Sequence, residues 1–326
     1  MRTVFPLLAL ALIVSACAPT DASPVSPLDR NLPTVESTPL SDYTQNTNTA
    51  STPDQEPAST SRALTPAGEP NTYWVTNPSS GSRLFARVFY PANWSGESLP
   101  ALVLVPGGTG VSEPNKATRL AAEGFLVIIF DPEGRGRSEG TEDYNGFVGQ
   151  DGLAAVIETS ASLPGLDTER YGLVSFSYGV TMATGALARH PNLPIDFYID
   201  WEGPVNRTYT SGCKPAAQQH IQWQPCDNDA WWAEREALTF IADVRIPYQR
   251  IQSQKDHVQT QNTHAIDIVN AAVAAGLPWA RLNEYPAGQT YDAANPPAML
   301  AEALDRQLEH TVATYAWYIL QEVLGR

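Results

Sequence analysis

The sequence is short of cysteine, histidine and positive charge, and each shortage narrows what the chain does. Its 326 residues hold three cysteines, none in a Cys-x-x-Cys or Cys/His spacing, so no thiolate metal site is expected. Lysine and arginine number 20 against 35 aspartates and glutamates, a formal net charge of −15 that repels nucleic acid and anionic membrane surfaces. No internal repeat and no nucleotide, flavin or phosphate-cradling motif is visible, so neither an organic cofactor nor a metal is expected. The acidic residues Glu139, Glu142 and Asp143 lack the spacing of a calcium loop and read as solvated charges. What is present is a hydrophobic fraction of 43%, enough for one large core.

The amino-terminal apolar run FPLLALALIV is too short to span a bilayer comfortably and follows a single arginine, Arg2. It ends in Val14-Ser15-Ala16-Cys17, which resembles the lipobox of bacterial lipoproteins. That resemblance implies a signal peptide over residues 1–17, a lipid on Cys17, and export to the cell envelope, with the lipid as the protein's contact to the membrane. Residues 18–70 are rich in Ser, Thr, Pro, Asn and Asp. They bury too little apolar surface to offset the entropy of ordering, and they read as a disordered tether. The fold is expected from about residue 71 to 326. In an oxidising compartment Cys213 and Cys226 are expected to pair, free thiols being the alternative.

TYWVTNPSSGSRLFARVFYP reads as two strands around an Asn-Pro-Ser-Ser-Gly turn. ALVLVPGG, FLVIIFD and YGLVSFS are apolar throughout, the pattern of strands buried on both faces. IDFYIDWEGP, IPYQRIQSQKD and WARLNEYP read as three more strands. Helical patterns fall between them at NKATRLAAEG, about residues 149–162, YGVTMATGALARH and His264 to Ala275, with a terminal helix, whole or broken, from Ala298 to Leu324. Strands alternating with helices predict a three-layer α/β/α fold with a mostly parallel sheet and an antiparallel hairpin at its start.

Four segments, in order, resemble the α/β-hydrolase superfamily, especially its dienelactone-hydrolase-like and peptidase-like members. LVLVPGGTG is similar to the strand and oxyanion loop, FDPEGRGRSEG to the Asp-x-x-Gly-x-Gly-x-Ser turn, SFSYG to the nucleophile elbow, and IQSQKDHV to the strand end bearing the acid. The resemblance implies Ser177 as nucleophile, oxyanion donors from Tyr178 and from Gly107 or Gly108, and Asp256 as the acid, with Glu202 of DWEGP in reserve. A structural βα turn is the alternative reading of Ser177, and Ser175 stands where the elbow's leading glycine is expected, with a β-carbon that crowds the turn. The family histidine should follow the last strand, where this chain has Gln289, which transfers no proton at neutral pH. The base is therefore open among His257, His264, His310 or none of these, His257 first, with Glu202 able to orient it.

Residues 205–234, with Cys213, Cys226, Trp223, Trp231 and Trp232, fall where this family inserts a cap. The tryptophans line an acyl pocket or pack the insertion down, and the sequence does not separate the two. The resulting expectation is a serine hydrolase acting on an ester or related small acyl substrate. A silent relative that binds a ligand in the same cleft, or a peptidase, are the alternatives.

Overall fold

The computed structural model describes residues 63–210, 213, 223–259, 262–300 and 307–326. The expected signal peptide, Cys17 and most of the expected tether lie outside these residues. Nine strands form one sheet in the order β1-β2-β3-β5-β4-β6-β7-β8-β9. The first three, β1 (Thr65–Pro66), β2 (Thr72–Thr76) and β3 (Arg83–Phe89), are antiparallel to one another, and β3 is antiparallel to β5 (Leu126–Phe130). The pairings among β5, β4 (Leu99–Val105), β6 (Leu166–Phe176), β7 (Phe197–Trp201), β8 (Tyr248–Ile251) and β9 (Ala280–Leu282) are parallel.

The apolar runs are strands because both faces of the sheet are covered. Along β4, Ala101, Val103 and Val105 enter one core with helices α2 (Phe147–Ser160), α3 (Gly179–Arg189) and α7 (Thr263–Ala274). Leu102 and Leu104 enter the opposite core with α1 (Pro114–Ala122) and α8 (Leu308–Tyr318). A period-2 backbone with every residue buried has no polar face to show. The opening hairpin forms as expected, its turn closed by Asn77 N–H to Ser82 O at 2.8 Å and Gly81 N–H to Asn77 O at 2.8 Å.

Several boundaries differ from the sequence reading, β6 starting five residues before the expected Tyr171. Pairing begins earlier, since Thr65 and Pro66 sit opposite Trp74 and Tyr73 inside the segment read as tether. The start of the segment read as terminal helix is not helical, since Leu300 pairs in a β-bridge with Ser253 and its N–H donates to Gln252 O at 3.1 Å; residues 301–306 lie outside the described residues, and helix α8 spans Leu308–Tyr318. Between β7 and β8, the described residues include the short helices α4 (Arg207–Thr210) and α5 (Asp229–Ala233) in the insertion and α6 (Ala237–Phe240) just after it. Cys213 and Cys226 are joined by a disulfide. No helix among the described residues is long and apolar enough to cross a membrane.

Candidate active site

Ser177 sits between the end of β6 and the start of α3 with φ +50°, a left-handed conformation that costs a non-glycine residue on the order of 1–3 kcal/mol. The surroundings hold it there. Its N–H donates to Trp201 O on β7 at 2.8 Å. A Cβ on Gly107 would lie 2.9 Å from Ser177 Cβ, and one on Gly179 would lie 2.7 Å from Pro106 O. Both glycines are therefore required by close backbone approach on either side of the turn. Ser175 does not crowd it. Its side chain is buried beneath the sheet end, with Oγ 2.6 Å from the Tyr198 hydroxyl and 3.3 Å from Asp200 Oδ1.

The Ser177 hydroxyl is 2.9 Å from His257 Nε2, and His257 Nδ1 is 2.8 Å from Glu202 Oε2. Glu202 directly follows β7 with φ +47° and is 1% exposed. Its other oxygen accepts from the Ser253 N–H at 2.9 Å and from the Ser253 hydroxyl. The His257 ring stacks on Trp201, centroids 4.5 Å apart and planes 20° apart, with a quarter of the side chain open to solvent. The result is a hydroxyl, an imidazole and a carboxylate in series, the imidazole fixed on one face and accessible at the hydroxyl end.

Asp256 occupies a different place from the one its sequence position suggested. Its Oδ1 comes only within 3.5 Å of His257 Nδ1 and accepts instead from the backbone N–H groups of Val258 at 2.8 Å and Gln259 at 2.7 Å. Its Oδ2 accepts from Gln252 Nε2 and is bonded to His264 Nε2, both at 3.0 Å. Adjacent residues point apart, so Asp256 turns into the body while His257 turns out towards Ser177. Burial opposes ionisation of Asp256, but the bonds from His264, the Gln259 N–H and Gln252 outweigh it and hold its carboxyl well below the usual carboxylate range.

The remaining candidate bases are elsewhere. His264 is fully buried and bonded to Asp256, and its Nδ1 lies 3.1 Å from Arg250 Nη2 and 3.0 Å from Gly203 O. His310 is exposed on α8, with Nδ1 3.0 Å from Glu123 Oε1. Gln289 lies exposed in the loop after β9. The imidazole beside the serine thus comes from the loop after β8 rather than from the loop after β9.

No hydrogen bond among the described residues occupies the N–H groups of Gly107, Gly108 or Tyr178. Tyr178 precedes the first turn of α3, where the helix dipole favours negative charge. In the insertion, Trp232 is fully buried and donates to Pro225 O at 2.9 Å, while Trp223 is 46% exposed. Cys213 packs with Trp232 and Tyr178, so the disulfide holds the insertion against the residue that follows Ser177. Glu139, Glu142 and Asp143 are each paired with an arginine: Arg83, Arg135 and Arg235. Glu202, Asp256 and His257 are the one trio among the described residues whose ligand atoms lie close enough, within 4.8 Å of one another, to hold a metal ion. A cation there would take the nitrogen that now faces Glu202.

Comparison with known proteins agrees with this fold. The family model described as X-Pro dipeptidyl-peptidase (S15 family) matches residues 80–198. Porphyromonas gingivalis dipeptidyl peptidase 4 superposes with a TM-score of 0.55 at 16% identity, over 76% of this chain and 35% of its own. The acylaminoacyl peptidase of Pyrococcus horikoshii gives 0.52 at 15%, over 73% and 39%. Est1E from Butyrivibrio proteoclasticus, in a structure with ferulic acid bound, gives 0.53 at 14%, over 76% and 98%. This chain thus spans little more than a third of the two peptidases and nearly all of Est1E. No curated protein matches it in sequence. The chain has the α/β-hydrolase fold.

Proposed function

We propose that the chain is a serine hydrolase of carboxylic esters or related acyl compounds, anchored to the cell envelope through lipid on Cys17. The observation that carries the catalytic part is the continuous Ser177–His257–Glu202 hydrogen-bond series, with distances of 2.9 and 2.8 Å. A serine hydroxyl is a weak nucleophile until a neighbouring base accepts its proton. In this reading Ser177 Oγ attacks the acyl carbon as its proton passes to His257 Nε2. The carbonyl electron pair moves onto oxygen, which the N–H groups of Tyr178 and Gly108 receive. His257 then protonates the leaving group, and water repeats the sequence to free the acid. Glu202 keeps the proton on Nδ1 and stabilises the imidazolium. Asp256 has no direct part in these steps.

A fluorophosphonate probe tests the assignment. Labelling that maps to Ser177 and disappears in Ser177→Ala supports it, whereas an unlabelled, folded wild type points to a binding protein on a hydrolase scaffold. A peptidase is the second reading, favoured by the family model over residues 80–198. Turnover of Xaa-Pro nitroanilides in preference to p-nitrophenyl esters would select it. Release of the protein from membranes by Cys17→Ala tests the anchor.

A further inference from the structure

Arg135, in the FDPEGRGRSEG turn, is a buried arginine whose bonds reach both arms that flank the Ser177 hydroxyl. The residue is 5% exposed. Its Nη1 donates to the carbonyls of Gly108 at 3.0 Å and Gly110 at 3.4 Å, in the loop after β4. Its Nη2 donates to Asn145 Oδ1 at 2.8 Å, and Asn145 Nδ2 donates to Tyr178 O at 2.8 Å. Asn145 is 1% exposed and held at φ +65°, a conformation asparagine tolerates better than most residues. Glu142 meets the other edge of the guanidinium, at 2.5 Å from Nε and 2.8 Å from Nη2, and fixes its plane. Gly110 N–H closes the loop on Gly107 O at 2.8 Å.

The chain of contacts runs Gly108–Arg135–Asn145–Tyr178, and its two ends are the residues whose N–H groups are proposed as oxyanion donors, each held through its own carbonyl. Both bonds fall on carbonyl oxygens of those residues and leave their N–H groups free. We infer that Arg135 and Asn145 are positioning residues that set the separation of the two oxyanion donors, so that both meet the charge that develops on the substrate oxygen. The inference rests on the serine-hydrolase reading above. Preorganised donors carry much of the rate in acyl transfer because the charge they meet exists only in the transition state. Loosening their spacing therefore lowers kcat with little change in KM.

The test uses the full-length protein, a p-nitrophenyl ester, and a trifluoromethyl ketone. Ser177 Oγ adds to the ketone carbon, its proton passes to His257, and the carbonyl pair becomes an oxyanion in the same position. Arg135→Lys keeps the charge but loses the fork. Asn145→Asp keeps the bond to Arg135 but sets an oxygen against Tyr178 O. Each is expected to lower kcat about 10- to 100-fold, with KM within about threefold. Each should weaken ketone inhibition by the same factor as kcat/KM. Arg137→Lys, two residues along in the same turn and bonded to exposed Glu69, keeps wild-type values. Folded variants with kcat and inhibitor affinity within twofold of wild type would overturn the inference. So would kcat and ketone affinity that change by unrelated factors. If Arg135→Lys does not fold, Asn145→Asp decides alone. Wild type that reacts with neither fluorophosphonate nor ketone removes the hydrolase reading instead, a separate result.

Discussion

Two histidine–carboxylate pairs lie within a few residues of each other at the end of the sheet, and they do opposite things. His257 with Glu202 has one nitrogen committed to the carboxylate and the other on the Ser177 hydroxyl. His264 with Asp256 is fully enclosed, its second nitrogen spent on Gly203 O and the Arg250 guanidinium. Arg250 in turn is bonded to buried Asp200, whose own carboxyl is pushed up by burial against the pull of that arginine. The chemistry of the two pairs is the same; what separates them is whether a nitrogen is left over. A pair with both ends satisfied by the fold is a brace, and a pair with one end facing a serine hydroxyl is placed for the proton relay proposed above.

Breaking the relay should have the larger consequence for rate. Ser177→Ala and His257→Ala are each expected to lower kcat/KM for a p-nitrophenyl ester by about 10³-fold or more while leaving the melting temperature near wild type. Glu202→Gln should cost about 10²–10⁴-fold in kcat, because a glutamine no longer selects the tautomer that leaves Nε2 free. Activity within tenfold of wild type in that variant would transfer the orienting role to Asp256.

Breaking the brace should change stability rather than chemistry. Asp256→Asn leaves His264 and two backbone N–H groups without their charged partner, a loss of about 3 kcal/mol by denaturant unfolding. The kcat of its folded fraction should suffer far less than that of Glu202→Gln. The pH dependence follows in the same direction. The folded-state pKa of Asp256 lies below its unfolded value of about 3.9, so its contribution is whole above that value. It drains away as the pH falls towards the depressed one. Acid titration of unfolding should therefore be shallower in Asp256→Asn than in wild type below about pH 4. The smallest effect sharpens the comparison from outside: Cys213→Ser with Cys226→Ser should lower stability by about 2–3 kcal/mol, a loop closure of modest length. It should raise proteolysis of the insertion before it alters the relay.

The fold was legible in the sequence because fully apolar strands separated by helical patterns have few arrangements open to them. The tight turn at Ser177 was legible for a similar reason: Gly179 and Gly107 mark backbones that meet closely. Which carboxylate would meet His257 lay open between Asp256 and Glu202. Both follow parallel strands, and side-chain direction separates them. Glu202 takes a left-handed backbone that aims it at His257, while Asp256 is captured by two N–H groups of its own loop. His257 stood first among several candidate histidines, not alone, because it lies in the loop after β8 and not in the loop after β9, where Gln289 stands. Arg135 stood in a quoted motif, but its link to Tyr178 joins residues 43 apart through Asn145, a spacing no periodicity reveals.

The strand order has a mechanical consequence as well. The chain enters the sheet at β1, an edge of only two paired residues, and the strand that carries Ser177 lies five places further in. At roughly 4.8 Å per strand that is about 24 Å of ladder. A force applied at the amino-terminal side would unzip β1 first and load the β2–β3 hairpin next, so the elbow would feel it only after the strands on that side had been loaded.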